Sequence, residues 1–324
     1  MEIKIIRYLF ALLFISALFS CKKDTSVIPT VRVTTLTGTA GAQVNRLCFI
    51  NSSVAFGACN GGKLIKSING GNSWSAVTSF PLIADDLTDV QFTTGTNGFV
   101  IGGGNVYRTI DGGANWNIVN LGGNLDFKAM SFPDSTRGYI SAMTGTYKTN
   151  NNGATWNQIT DPDWFYEPYK MAFATRDTGL LTDYSNHYTY FTTDGGNTWT
   201  RYYEHLINFA SEIKFISKTV GLAIGTGEIF KSYDAGVTWS TVQSLKSETE
   251  FMLSGVDVSS SFGFVVGDMS IFITKNNGDS WEYRLTDQGI NLHEWLTDVH
   301  VINNTSAIAS SKSGAFYKIE IGEQ

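Results

Sequence analysis

The chain is poor in the residues that break, cross-link or charge a fold. Its 324 residues include only five prolines and three cysteines, and Asp, Glu, Lys and Arg together make up 16%. So few cysteines give no basis for a thiolate metal site. No low-complexity segment follows the short stretch at residues 22–30. What is abundant is glycine, with 33 residues, and aromatic side chains at 13%, a composition that indicates an all-β globule.

The N-terminus has the pattern of an export signal. Lys4 and Arg7 precede an apolar run from Tyr8 to Phe19, which is too short to span a bilayer comfortably. The run ends in Ser20 and Cys21, and this end resembles the lipobox of bacterial lipoproteins, in particular those of the Bacteroidota. The resemblance implies cleavage before Cys21 and acylation of its sulfur. A plain signal peptide and a signal anchor are the alternatives.

These features divide the chain into three parts. We expect a lipoprotein signal peptide at residues 1–20, a lipidated tether at 21–30 and one domain at 31–320. Without residues 1–20 the chain carries 21 basic and 28 acidic side chains, a net charge of −7. An acidic surface disfavours nucleic acid as a partner. The expected location is the cell envelope, on the outer membrane, with the periplasmic or surface side left open.

Cys48 and Cys59 are the remaining cysteines, and they lie on two consecutive predicted strands. A cross-strand disulfide in an oxidising envelope and a pair of free buried thiols are both compatible with this placement.

An eight-residue turn of the form Ser/Thr-x-Asp/Asn-x-Gly-x-x-Trp recurs at a spacing of 40 to 43 residues. Its six copies are Ser67–Trp74, Thr109–Trp116, Thr149–Trp156, Thr192–Trp199, Ser232–Trp239 and Thr274–Trp281. The Asp or Asn accepts hydrogen bonds from the turn's own amides, the glycine supplies a positive φ and the tryptophan packs the hairpin. The predicted structural residues are Asn69, Trp74, Asp111, Trp116, Asn151, Trp156, Asp194, Trp199, Asp234, Trp239, Asn276 and Trp281.

Each turn follows three short strands, which we call A, B and C, and a fourth strand, D, begins at the tryptophan. Four strands in about 41 residues predict one propeller blade. A seventh A, B and C set occupies the C-terminus at Val299–Ile319 and is not followed by the eight-residue turn. A lone strand at Val31–Thr35 precedes the first unit. We predict an all-β, seven-bladed propeller of four-stranded antiparallel blades, with the N-terminal strand completing the last blade.

The turn resembles the Asp-box, or bacterial neuraminidase repeat, of sialidases, the sortilin ectodomain and xyloglucanases. Across residues 31–320 the chain is most similar to the photosystem II stability and assembly factor family. That resemblance implies a seven-bladed propeller that acts as an assembly chaperone. Because the boxes are C-to-D turns, we expect them on one face with the A-to-B turns, and ligands on the other face.

The enzyme alternatives fit poorly. Sialidases grip their substrate with three convergent arginines, yet the seven arginines after residue 20 are scattered, and only Arg46 begins an A strand near the central channel. Xyloglucanases use two propellers, and this chain has the length of one. The arginine-rich patch of the assembly-factor family is also missing. No nucleotide-binding fingerprint or histidine pair occurs, so we expect no cofactor and no metal.

Aromatic residues with interleaved acids and histidines mark the connections on the face opposite the boxes. These predict a binding rim formed by Trp164, Tyr166, Tyr184, His187, Tyr203 and Trp295. Rings that merely plug the channel are the structural alternative. The preferred function is a non-catalytic envelope scaffold, monomeric, lipid-anchored and bound to an unknown protein or glycan. A carbohydrate-binding protein or glycoside hydrolase that uses the aromatic face is the alternative.

Overall fold

A computed structural model describes residues 30–122, 125–159, 168–183, 188–203, 207, 209–225, 227–244, 252–285 and 294–322. Within these ranges the chain forms seven separate four-stranded antiparallel sheets, which confirms the predicted seven-bladed propeller. No helix in these ranges is long and apolar enough to cross a bilayer.

The first three blades follow the chain order of their strands from the channel outward. Blade 1 contains β2 (Val44–Phe49), β3 (Ala55–Cys59), β4 (Leu64–Ser67) and β5 (Ser75–Ala76). Blade 2 contains β6 (Leu87–Phe92), β7 (Gly98–Gly102), β8 (Asn105–Thr109) and β9 (Asn117–Val119). Blade 3 contains β10 (Phe127–Ser131), β11 (Gly138–Ala142), β12 (Gly145–Thr149) and β13 (Asn157–Ile159).

Blades 4 to 6 repeat this arrangement. Blade 4 contains β14 (Pro168–Phe173), β15 (Gly179–Asp183), β16 (Tyr188–Thr192) and β17 (Thr200–Tyr203). Blade 5 contains β18 (Glu212–Phe215), β19 (Gly221–Ile224), β20 (Glu228–Ser232) and β21 (Ser240–Ser244). Blade 6 contains β22 (Leu253–Ser259), β23 (Phe262–Gly267), β24 (Ser270–Thr274) and β25 (Glu282–Leu285).

Blade 7 joins the two ends of the chain. It contains β26 (Leu296–Asn303), β27 (Ser306–Ser311) and β28 (Ala315–Gly322), with β1 (Thr30–Thr39) as its outer strand. The register of β1 on β28 runs antiparallel from Thr30 opposite Gly322 to Thr35 opposite Tyr317. The closing strand is therefore longer than the five residues predicted from the sequence. It covers an edge that would otherwise expose unpaired backbone groups.

The boxes hold themselves together by local hydrogen bonds. In the second box the Thr109 hydroxyl accepts the amide of Gly113 at 2.9 Å, and Asp111 accepts the amide of Asn115 at 2.9 Å. The fifth-position glycines all have positive φ, as expected, for example 80° at Gly113. The fourth position also lies in the left-handed region, even where it is Ala235 at 60°. The sequence pattern did not reveal this second requirement.

Stacked aromatic rings fill the space between neighbouring blades. Phe99 of blade 2 stacks on Phe132 of blade 3 with ring centroids 4.6 Å apart, and Trp156 meets Phe132 edge-on at 6.1 Å. The same arrangement joins blades 1 and 2 and blades 3 and 4. A Cβ at Gly138 would lie 2.1 Å from the Phe132 ring, which explains the glycine that opens this B strand.

The two cysteines are free thiols. In the register of β2 on β3, Cys48 faces Phe56 while Cys59 faces Val44, so the two side chains are not cross-strand neighbours. Of the two alternatives drawn from the sequence, the structure therefore shows the free thiols. Burial raises the pKa of each thiol to about 12, which keeps both protonated and unreactive at neutral pH.

Each blade presents its turns on two opposite faces. On the box face, the A-to-B turn binds the box of the same blade, as in the bond from the Gly112 amide to the Thr96 carbonyl at 2.8 Å. On the other face, which we call the mouth face, D-to-A connections meet B-to-C turns, as in the bond from the Lys312 amide to the Trp295 carbonyl at 2.9 Å. The predicted separation of the boxes from the other face is confirmed.

Candidate functional site

The central channel opens on the mouth face into a wide cavity of about 820 Å³, which we call the funnel. All seven blades contribute to its wall, because the first residues of every A strand converge there. Its lining includes Asn45, Lys128, Tyr169, Met252, Trp295 and Lys312. Pockets of this size and mixed polarity suit a small molecule or a short stretch of another chain.

Trp295 is the predicted rim residue that the structure places in the funnel. Its indole N–H donates to the Ser254 hydroxyl at 2.7 Å, and the Lys312 ammonium lies 4.9 Å from its ring centroid. An isolated β-bridge to Asp268 fixes its backbone. The ring is half-buried and held from blades 6 and 7 together, so it forms a rigid part of the wall.

The side chains of the other five predicted rim residues are outside what the structure describes. Trp164, Tyr166, Tyr184 and His187 lie outside the described residues, as does Cys21. Tyr203 ends β17, and only its backbone is described. The six-residue rim stays a prediction, of which only Trp295 can be located.

Below the funnel the channel narrows to a chamber of about 310 Å³ lined by the A strands. In most blades the A strand shifts register just after its first residue, as between Leu87 and Asp89 in blade 2. In blades 1, 2, 4 and 7 the residue after this shift lines the chamber and is charged: Arg46, Asp89, Lys170 and Asp298. Glu212, the first residue of β18, lines the chamber without a register shift before it.

Arg46 crosses the chamber and binds carboxylates from three other blades. Its guanidinium lies 2.7 Å from Glu212, 3.3 Å from Asp89 and 3.9 Å from Asp298. Burial lowers the pKa of Arg46, but Glu212 and the two aspartates outweigh it and raise that pKa well above its usual value. One half-buried cation thus ties blade 1 to blades 2, 5 and 7.

The pKa values of the three carboxylates around Arg46 are shifted in different directions. Burial raises the pKa of Asp298 to about 6, although Arg46 acts in the opposite direction. Burial also raises the pKa of Asp89. For Glu212, burial is outweighed by Arg46 and Lys170, and the pKa falls below its usual value. The pKa shift of Glu212 differs from those of the two aspartates because Glu212 has the shortest contact with the Arg46 guanidinium.

A second ion cluster lies two residues further along the A strands. Asp257 accepts Lys214 at 2.5 Å and His300 at 3.0 Å, and it also accepts the backbone amide of Val301 at 2.8 Å. Burial opposes ionisation, but Lys214 and His300 outweigh it and hold the pKa of Asp257 well below its usual range.

Polar channel side chains also replace the backbone pairing that neighbouring A strands lack. Each belongs to one blade and binds the main chain of the next, and such bonds occur at six junctions among the described residues. They run from Asn45 to the Leu87 carbonyl, Gln91 to the Met130 carbonyl, the Phe173 amide to Ser131, Ser211 to the Leu253 carbonyl, the Val301 amide to Asp257 and the Leu47 amide to Asp298. The polar channel residues therefore hold the ring together.

The chamber carboxylates are all engaged in these contacts, so the arrangement suits a structural plug, and the funnel above it is where a ligand can enter. Among the described residues, no three His, Cys, Asp or Glu side chains are placed to hold a metal ion. The sequence analysis identified Arg46 as near the channel but missed its carboxylate partners. Their common position, near the start of the A strand in their own blades, is the signal that could have revealed them.

The sequence matches the model of the family described as "Photosynthesis system II assembly factor YCF48" over residues 67–208 and 205–323. The chain belongs to this family. Among curated proteins no match was found.

Solved structures agree with the fold. One described as "YCF48 bound to D1 peptide" is 13% identical with a TM-score of 0.70, covering 90% of this chain and 95% of that one. YCF48 from Cyanidioschyzon merolae is 15% identical with a TM-score of 0.65, covering 89% and 98%. A GH74 xyloglucanase from Xanthomonas campestris is 11% identical with a TM-score of 0.66, covering 89% of this chain and 53% of that one. At these identities the likeness concerns the fold alone.

Proposed function

We propose that this YCF48-family propeller is a non-catalytic scaffold of the cell envelope that binds a segment of a partner protein in the funnel. The observation that carries the proposal is the funnel itself, an open cavity of about 820 Å³ with a fixed aromatic wall at Trp295. A relative of the same fold is described as bound to a D1 peptide, which supports a peptide as the type of ligand.

The chamber below the funnel supports a binding role over a catalytic one. A hydrolase needs a general acid and a general base that are free to exchange protons with the substrate. Here Glu212 and Asp89 are held by Arg46, and Asp257 is held by Lys214 and His300. These carboxylates contribute to ring closure.

The proposed lipid anchor at Cys21 would orient the propeller. Strand β1 begins at Thr30, opposite Gly322, and the Ile321 amide next to it binds the Thr305 carbonyl of an A-to-B turn. The chain therefore enters the propeller at the box face. Eight residues, 22–29, separate it from Cys21 and reach at most roughly 28 Å. An anchored propeller would hold its boxes near the membrane and its funnel away from it.

The anchor is tested by fractionation of cells that express the full chain. Cys21→Ser should move the protein from the membrane fraction to the soluble envelope fraction, since acyl chains supply the membrane affinity. Thr25→Ser, a conservative change in the tether, serves as the comparison. Equal membrane retention of the Cys21→Ser protein would contradict the anchor. Protease treatment of intact cells then distinguishes surface from periplasmic display.

Partner binding is tested by crosslinking in intact cells followed by affinity purification. Trp295→Ala, Trp164→Ala and His187→Ala should each remove a crosslinked partner that the unmodified protein retains. Ile68→Ala and Ile110→Ala, at exposed positions on the box face, are the matched controls. Loss in the controls, or retention of the partner by all three of the other variants, would contradict the proposal.

A glycan ligand is the second candidate, favoured by the rings of Tyr169 and Trp295 in the same cavity. Sugars stack on such rings while neighbouring polar groups fix their orientation. A glycan array and turnover assays on xyloglucan and sialyllactose separate the candidates. Array binding that Trp295→Ala abolishes would favour the glycan, and turnover of either substrate would overturn the non-catalytic proposal.

A further inference from the structure

The wall of the funnel is acidic on the side of blades 2 and 3. A smaller cavity of about 380 Å³ adjoins the funnel there, sharing Asp86, Thr88 and Asp126 with it and adding Asp85. Among the described residues, neither Asp85 nor Asp86 has an ion-pair partner; Asp86 accepts only the Gly61 amide, at 2.8 Å. Carboxylates of this kind attract a cation from solution.

The floor of this smaller cavity is held open by glycine. Gly102, Gly103 and Gly104 all have positive φ, and a Cβ at Gly102 would lie 2.4 Å from the Asp86 carbonyl oxygen. Any residue with a Cβ at position 102 would displace the backbone of Asp86. The cavity is therefore a fixed recess with carboxylates at its edge.

Two exposed methionines line the funnel, Met143 at 36% and Met252 at 38%, an unusual exposure for apolar side chains. A third, Met269, is 42% exposed and lies in the B-to-C turn of blade 6 on the mouth face. The Met143 amide donates to the Asp126 carbonyl at 3.2 Å, which places this side chain beside the acids. Met269 has a φ of 43°, a strained conformation for a residue with a Cβ. Flexible thioethers of this kind adapt to apolar side chains of different shape.

Among the described residues, the lysines of the funnel form no ion pair with Asp85 or Asp86. Lys128 is paired with Asp126 at 2.6 Å, and Lys312 of blade 7 keeps its charge over the Trp295 ring. Lys170 sits deeper, where Glu212, Asp89 and Asp298 act on it. On the side of blades 2 and 3 the carboxylates of Asp85 and Asp86 therefore stay unpaired among the described residues, on a chain that is acidic as a whole.

We propose that the funnel recognises a cationic, apolar segment of its partner, with a Lys or Arg in the acidic recess and large apolar side chains against the methionines and Trp295. This rests on the proposed function and names the chemistry of its ligand. Charge steers the segment to the mouth face, and apolar burial holds it there. An acidic segment would meet Asp85 and Asp86 as like charges.

The inference is tested with three fluorescein-labelled peptides, each of seven repeated pairs: Lys-Leu, Glu-Leu and Lys-Ser. Binding to the propeller is followed by fluorescence anisotropy at two salt concentrations. Lys-Leu should bind at least about 10-fold more tightly than either other peptide, and more weakly at high salt. Equal or tighter binding of Glu-Leu overturns the charge assignment. Equal binding of Lys-Ser overturns the apolar part.

Two sets of variants assign the binding to the funnel. The triple variant Asp85→Asn, Asp86→Asn, Asp126→Asn should weaken Lys-Leu binding about 10-fold, and Met143→Gln with Met252→Gln by a similar factor. Both control variants lie on the box side. The triple variant Asp177→Asn, Glu282→Gln, Glu320→Gln controls for the charge change. The double variant Ile68→Gln, Ile110→Gln controls for the apolar change.

The controls should bind Lys-Leu as the unmodified protein does, and a matching loss in them would overturn the inference. Circular dichroism melting shows that each variant is folded before its binding is compared. If Trp295→Ala removes the crosslinked partner while Lys-Leu fails to bind, the scaffold function stands and the inference about ligand chemistry falls.

Discussion

Arg46 of blade 1 and Glu212 of blade 5 form an ion pair of 2.7 Å across the central channel, although 166 residues separate them along the chain. Because Asp89 and Asp298 approach the same guanidinium, one side chain holds four blades in place. The pair shows that the channel of this propeller is a structural element, and that ligand binding belongs to the funnel above it.

Replacement of Arg46 by methionine should lower the free energy of unfolding by about 3 kcal/mol, because three buried carboxylates lose their cation. Urea denaturation at pH 7 measures the loss. Arg32→Met, at an exposed position of the closing strand β1, should change stability by less than about 0.5 kcal/mol. A loss below about 1 kcal/mol for Arg46→Met would show that the cluster is dispensable.

The raised pKa of Asp298 predicts that the contribution of this side chain to stability falls as pH rises. The folded state holds the proton more tightly, with a pKa of about 6 against an ordinary 3.8. Its contribution is therefore complete below pH 3.8 and is lost as the pH rises through 6. The loss should be on the order of 2–3 kcal/mol for this group.

Asp298→Asn preserves the size of the side chain and keeps one of the two oxygens that accept the amides of Leu47 and Val299. Its stability should vary less between pH 4 and pH 7 than that of the unmodified protein, by the amount that Asp298 contributes. Melting curves across this range measure the difference. Parallel pH profiles would assign the titration to other groups.

Ala235→Gly should stabilise the protein by about 0.5–1 kcal/mol. Ala235 has a φ of 60° at the fourth position of its box, where Gly70, Gly112 and Gly195 occupy the same position in other blades. Glycine removes the steric strain, which outweighs its greater freedom in the unfolded chain. Ala114→Gly, two box positions later and without positive φ, should instead destabilise. Thermal melting compares the two.

Gly138→Ala should cost about 1–3 kcal/mol, because the added Cβ would lie 2.1 Å from the Phe132 ring. The displaced ring would also lose its stacking on Phe99. Gly95→Ala is the matched control, since no atom lies within 4 Å of a Cβ at that position. Chemical denaturation that finds equal stability for both variants would show that the blade interface can repack around the methyl group.

Most of the fold could be predicted from the repeated turn. Each box is a local structure, made by hydrogen bonds between residues at most four apart, such as Gly113 to Thr109. Such bonds depend on neighbouring residues alone, so six boxes and a seventh incomplete unit were enough for the blade count and the closing strand. The face of the boxes followed from the order of strands, and Trp295 was placed on the opposite face for the same reason.

The sequence by itself determined the blade, its repetition and the face on which the boxes lie, because these depend on contacts within about 40 residues. Only the tertiary structure decided which charges meet. Arg46, Asp89, Glu212 and Asp298 come from four blades and approach one another only when the ring closes around a common axis. The funnel has the same origin, since seven strand ends must converge before their side chains can enclose a cavity.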